Sequence, residues 1–272
     1  MDSLAIPLWT YPFLLLTGLA AGFVDSIAGG GGLITIPVLL NLGMLPQLAL
    51  GTNKLQATFG SASATWHYGR AGLIDFRAGQ LGILCTLLGA TAGTLLVSRL
   101  PADLLRQTIP WLLIALSLYL LFQPRLGDRE RPARLNGHFF HLVFGLGLGF
   151  YDGFFGPGTG TFWAMAYLVG LGYNLTRATA HTKLMNLASN IASLMAFVAG
   201  GHIHFGAGLC MGLGQMLGAR LGSKVVIRKG TAWIRPVFIG VALTITLRLL
   251  WQNFFTTHSA AAGAAVGGFS GK

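Results

Sequence analysis

The chain has 272 residues, 53% of them hydrophobic and only 9% charged, with a mean hydropathy of +0.66. A soluble domain carries roughly 25% charged residues, so water is the wrong solvent for this chain. The net charge of +11 would suit nucleic acid, but the arginines and lysines stand singly between apolar runs. The preference for basic loops on the cytoplasmic side of a membrane explains that pattern better, and no nucleic-acid partner is expected.

Forty glycines are about twice the roughly 19 expected at the usual ~7% share, and small residues let helix backbones approach closely in lipid. The two cysteines, Cys85 and Cys210, lie inside apolar stretches and read as packing residues, so no disulfide, metal site or cofactor is expected. The first apolar run follows Asp2 rather than basic residues and leads directly into further apolar sequence, so it is expected to be retained rather than cleaved.

At about 20 apolar residues per crossing, the first half contains segments at 12–41, 47–68, 78–97 and 109–122. A charged connection follows at 123–137, with Arg125, Asp128, Arg129, Glu130, Arg131 and Arg134. The second half has segments at 138–171, 175–199, 207–227 and 235–251. Residues 10–122 and 138–252 are therefore read as two transmembrane repeats. The Ala-, Gly- and Ser-rich stretch at 253–272 is expected to be a flexible tail, because it has little to bury.

The halves align residue by residue. GLAAGFVDSIAGGGG at 18–32 matches GLGLGFYDGFFGPGT at 145–159, which pairs Asp25 with Asp152 at an offset of 127. A two-residue insertion then moves the offset to 129, pairing Lys54 with Lys183, Gly89 with Gly218, Gly93 with Gly222 and Arg106 with Arg235. GLIDFRAG at 72–79 likewise meets GHIHFGAG at 201–208. Internal duplication is the reading.

Charge orients the repeats. The basic connections at 123–136 and around Arg228, Lys229 and Arg235 belong in the cytoplasm, whereas 202–206 carries no formal charge. Both basic connections reach one side only if the segment at 138–171 enters and leaves on the same face. The Gly156-Pro157-Gly158 interruption permits such a hairpin. By symmetry the segment at 12–41, broken at Gly29 to Gly32, enters from the opposite face. The expected fold is an all-α integral membrane protein of two inverted repeats, each a glycine-broken helical hairpin followed by three transmembrane helices. Arg99 and Arg106 then lie outside, against the rule, and an eight-span parallel arrangement stays open.

Asp25 and Asp152 each sit in an apolar segment just before a glycine cluster, at a cost of about 2.5–3.5 kcal/mol on insertion scales. Two compatible roles justify that cost: capping the broken backbone, or loading and releasing a proton that couples or gates transport. The clusters, Gly29, Gly30, Gly31 and Gly32 in one half and Gly156, Pro157, Gly158 and Gly160 in the other, would free backbone N–H groups at a half-helix N-terminus. Such a terminus suits an anion. Glycines elsewhere read as packing positions.

Lys54 and Lys183 each lie in the first turns of an apolar helix, where the alternative to facing a lined path is snorkelling to headgroups. Asn186 and Asn190 stand three and seven residues beyond Lys183, on its helix face. Thr52, Asn53, Gln56 and Ser61 form a more diffuse polar set around Lys54. These lysines are expected to bind an anion. His181 has Thr52 as its counterpart and is either a substrate contact specific to one half or a packing residue. Arg220, where the first repeat has Thr91, is a candidate partner for Asp152 or Asp25. Trp9, Trp66, Trp111, Trp233 and Trp251 fall near span ends as interfacial anchors.

These motifs together, AGFVDSIAGGGGLITIP, GTNKLQA, GFYDGFFGPGTG, ATAHTKLMNLASNI and GQMLGARLGS, resemble the sulfite exporter TauE/SafE family over residues 12–251. The resemblance implies a secondary carrier of small sulfur-containing or organic anions, such as sulfite, sulfoacetate or sulfonates, usually exported across the cell inner membrane. It places family motif positions on Asp25, Gly29 to Gly31, Asn53, Lys54, Asp152, Gly156, Pro157, Gly158, His181, Lys183 and Asn186. The expected partners are the lipid bilayer and the anion, with proton coupling and a homodimer left open. A passive anion channel is the alternative. An enzyme is not expected, since no nucleophile–base pair, metal-ligand spacing or ATP-binding P-loop occurs.

Overall fold

The computed structural model describes residues 6–121 and 129–229, and all regular structure among them is helical. The predicted segment at 12–41 is two helices, α1 (Thr10–Ala28) and α2 (Gly31–Asn41). The first half continues with α3 (Pro46–Arg70), α4 (Gln80–Arg99) and α5 (Ala102–Leu121). The segment at 138–171 is likewise divided, into α6 (Gly137–Phe154) and α7 (Thr159–Gly170), followed by α8 (Leu175–Ala199) and α9 (Phe205–Lys229). The expected segment at 235–251, the tail at 253–272, residues 122–128 of the charged connection, and Trp233, Arg235 and Trp251 lie outside the described residues.

Both breaks fall where the chain adopts backbone angles open to glycine. Gly29 and Gly30 have φ of 73° and 132°, and Gly156 and Gly158 have 93° and 77°. Side chains bearing a Cβ rarely adopt these angles, so the helix stops and a new one starts. α2 returns along α1, because Leu14 near the start of α1 packs in one cluster with Val38 and Leu39 near the end of α2 and with Met44 just beyond it.

The tightest helix contacts are made by glycine against backbone. A methyl added at Gly218 of α9 would stand 2.0 Å from the Leu19 carbonyl oxygen of α1, and one at Gly89 of α4 would stand 2.3 Å from that of Leu146 on α6. Gly222 and Gly93 repeat the relation against Phe23 and Phe150. Partners that align between the halves thus make corresponding contacts. Their order along the chain gives helix sense: Gly18 meets Met211 and Gly22 meets Gln215, so α1 and α9 run the same way. α4 and α6 also run together, since Gly145 lies against Cys85 and Gly153 against Ala90. α3 and α8 run oppositely, with Leu50 beside Phe197 at one end and Tyr68 clustered with Ala178 at the other.

The distribution of polarity is inverted relative to a soluble protein. Leu84, Leu88, Leu95 and Leu96 of α4 and Leu209, Leu213, Leu217 and Leu221 of α9 are exposed, while Lys54, Lys183, Asn53, Gln56 and Asp152 are buried. Lipid is the solvent that makes this stable. On length and apolarity alone, two described helices qualify as membrane spans, Thr10–Ala28 and Gln80–Arg99. α3 and α8 fall short because each carries an interior stripe of polar side chains. α5 begins seven residues before the expected 109, since the partly polar turn holding Asp103 and Arg106 is helical too.

Gly218→Val is expected to lower the melting temperature of the detergent-solubilised protein sharply, because backbone cannot yield to the added atoms and overpacking costs about 1–3 kcal/mol or more. Gly147→Ala is the control. Nothing lies within 4 Å of its added methyl, so it should be neutral or raise stability by about 0.5–1 kcal/mol.

Candidate functional site

The two breaks meet. An added methyl at Gly29 would lie 2.7 Å from Gly160 Cα, and Gly32 faces Pro157. A narrow cavity of about 30 Å³ lies at this junction, lined by Asp25, Gly30, Gly32, Asn53, Lys54, Asp152, Gly156, Gly158, Gly160, Asn186 and Asn190, with Ala57, Thr159 and Gln215. Most of the residues singled out in the sequence are therefore brought to one place.

Charge balance organises it. Lys54 Nζ donates to Asp152 Oδ1 at 2.7 Å, and Lys183 Nζ lies 3.2 Å from Asp25 Oδ2 and also donates to the Asp25 backbone carbonyl. Each lysine thus pairs with the aspartate of the other repeat, so two cations and two anions cancel within the bundle. A buried ion without a partner would cost several kcal/mol, which is the physical reason for the cross-pairing. The pairs differ in setting. Asp152 is dry, its second oxygen accepting the Ser189 hydroxyl, whereas the Asp25 side chain keeps 17% of its surface. Asp25 also caps its own helix break, with Oδ1 accepting the Gly30 and Gly31 amides at 3.1 and 3.3 Å. The capping role raised from sequence is thus made at Asp25, in a geometry where carboxylates suit a helix N-terminus.

Neutral polar groups complete the wall. Asn53 Oδ1 accepts from the Thr35 hydroxyl at 2.6 Å and from Gln56 Nε2 at 2.9 Å. Asn190 Oδ1 accepts from Lys54 at 3.3 Å, and its amide donates to Ser61. Gly29, which donates to the Asp25 carbonyl, Gly31, which donates to its carboxylate, and Lys183 do not line the cavity.

His181 is not brought to the cavity. Its Nε2 accepts the Asp75 amide at 3.1 Å, its Nδ1 bonds the Arg177 carbonyl at 3.0 Å, and its ring lies against Tyr167 and Tyr173. With both ring nitrogens on backbone, it ties the 71–79 turn to α8. Asp75 in that turn accepts the Ala78 amide, which holds its carboxyl below the usual carboxylate range. Arg220 is exposed and forms an ion pair with neither aspartate, so that candidate pairing is corrected.

Ser189 and Gln215 escaped the sequence reading. Ser189 follows from standing three residues beyond Asn186 on α8, and Gln215 from being the lone amide in a glycine-rich apolar helix. The lysine–aspartate exchange escaped that reading as well, although two buried charges of each sign had to find partners.

Among the described residues, a helical bundle with an apolar exterior and a charged, neutralised interior is that of a membrane protein, and comparison with known proteins makes it a membrane transporter rather than an enzyme. The model of the family "Sulfite exporter TauE/SafE" matches residues 14–249, so the chain belongs to that family. It is 46% identical over 240 residues to the probable membrane transporter protein YfcA of Escherichia coli, covering 88% of this chain and 89% of that one. A probable membrane transporter protein of Haemophilus influenzae is 44% identical over 240 residues, covering 88% and 94%. The probable membrane transporter protein ORF9 of a Sinorhizobium species is 43% identical over 238 residues, covering 88% and 91%. No solved structure matches the chain significantly.

Lys54→Met should destabilise the protein by about 3–5 kcal/mol by leaving Asp152 buried without its cation. The double variant Lys54→Met with Asp152→Leu should recover most of that loss in reversible unfolding measured in mixed detergent micelles.

Proposed function

We propose that this chain is a secondary carrier that exports small sulfur-containing or organic anions, such as sulfite, sulfoacetate or sulfonates, across the cell inner membrane. The observation that carries the reading is the cavity between two abutting helix breaks, lined by the buried Lys54 and by free backbone amides, with the buried Lys183 close behind Gly160. Half-helix N-termini near the midplane and permanent cations are what an anion needs in place of water. The family description supports sulfite as one member of the substrate class.

The helix senses support inverted repeats. α1 follows α9 and α6 follows α4, while α3 opposes α8, so corresponding helices of the two halves run in opposite directions. The first hairpin then enters from one face and the second from the other. Arg70, Arg77, Arg131, Arg134, Arg177, Arg228 and Lys229 gather at one end of the bundle, against Arg99 and Arg106 at the other. That asymmetry supports a multi-pass protein with the basic end in the cytoplasm. A cavity of about 30 Å³, with the Lys54–Asp152 pair in its wall and the Lys183–Asp25 pair beside it, favours alternating access over the open pore of a passive channel.

In proteoliposomes loaded with sulfite, Lys54→Met, Lys183→Met and Asp152→Asn are each expected to cut flux at least tenfold. Wild-type flux in all three would sink the assignment.

A further inference from the structure

The duplication suggests two equivalent anion seats, one on each half-helix. The structure makes them unequal. At the start of α2, the Gly30 and Gly31 amides are already taken by the Asp25 carboxylate, which leaves the Gly32 amide alone without a partner. At the start of α7 no carboxylate sits on the backbone. Pro157, aligned with Gly30, has no N–H to offer, and Asp152 turns instead to Lys54 and Ser189. Among the described residues, the Gly158 and Gly160 amides donate to nothing, and both residues line the cavity.

A second difference points to the same place. Asn186 is 94% buried, its Oδ1 has no partner, and its Nδ2 lies 3.2 Å from where a methyl on Gly160 would stand. At the shared offset of 129, its counterpart in the first repeat is Ala57, which has no polar group. Asn186 Nδ2 also donates to nothing among the described residues, and it is this donor, not the orphaned acceptor Oδ1, that an oxyanion can satisfy. Lys183 Nζ lies 3.5 Å from the same Gly160 position. Because Asp25 keeps two amides of its own, Lys183 can turn away from it without stranding the carboxylate.

We propose that the carrier binds one oxyanion per chain, on the first turn of α7, held by the Gly158 and Gly160 amides, Asn186 and Lys183. On this assignment Asp25 is a resident anion that permanently fills the matching seat on α2. This rests on the anion-transport reading above and assigns its site to one repeat. Every group at the seat except the Asn186 carbonyl is a donor, which fits a deprotonated oxyanion with two or more acceptor oxygens, such as sulfite or a sulfonate.

The test is calorimetric titration of purified full-length protein in detergent with sulfite, and with methanesulfonate and acetate in parallel. The expected result is one site per chain, about tenfold or greater weakening in Asn186→Ala, as for a lost hydrogen bond to a charged group, and a smaller loss in Asn53→Ala. Asn186→Asp has the same shape and puts a negative charge at the seat, so it should abolish binding even if Asn186→Ala does not fold. Two sites per chain, or equal losses in Asn53→Ala and Asn186→Ala, would overturn the single seat while leaving anion transport standing. Wild-type affinity in both Asn186 variants would do the same. Absence of binding by all three anions to the wild type would overturn the seat and the transport reading together.

Discussion

Lys54 and Lys183 stand in the middle of a bundle that faces lipid, and neither is tolerable there without a counter-charge within reach. Each finds it in the opposite repeat, Lys54 on Asp152 and Lys183 on Asp25. The exchange does more than neutralise charge. Because both bonds cross between repeats, they fix α3 and α8 against the partner's helix break and bring the two breaks into contact at Gly29 and Gly160. The glycine seams follow from the same demand, since the lysines reach the aspartates only if α1 lies flush on α9 and α6 on α4.

The pairs also set the terms for transport. The site with both pairs made is electrically neutral and has room for little more than two waters. An anion entering it must draw a lysine from its carboxylate or arrive with a proton, and either route links binding to a change in contacts between the repeats. On the proposed carrier reading, such a coupling would drive rocking of one half of the bundle against the other. The looser pair, Lys183 with the partly exposed Asp25, is the one that can open at lower cost, since Asp25 retains the Gly30 and Gly31 amides.

Much of this was legible in the sequence, for identifiable reasons. The offset pairing Asp25 with Asp152 and Lys54 with Lys183 was read as a duplication, and the glycine clusters marked the breaks because positive φ has few other residues to serve it. The span at 175–199 matches α8 residue for residue, since Asn174 caps it and Gly200 ends it. What could not be read was partnership. Sequence offered Arg220 to the aspartates and His181 to the anion, but α9 turns Arg220 outward and the 71–79 turn claims His181. Both outcomes depend on helix rotation and on contacts across more than a hundred residues, which periodicity does not encode. The inequality of the half-sites was present as Pro157 and Asn186 against Gly30 and Ala57, yet it gained meaning only once the Asp25 carboxylate was seen on its own helix break.

The most direct measurement of the central claim is a high-resolution structure of the protein in a lipid nanodisc, solved with and without saturating sulfite. The account predicts that the anion-loaded state separates Lys183 from Asp25 by more than about 4 Å, beyond ion-pair range, while Lys54 stays on Asp152. An anion bound elsewhere, with both cross-repeat pairs intact, would contradict it.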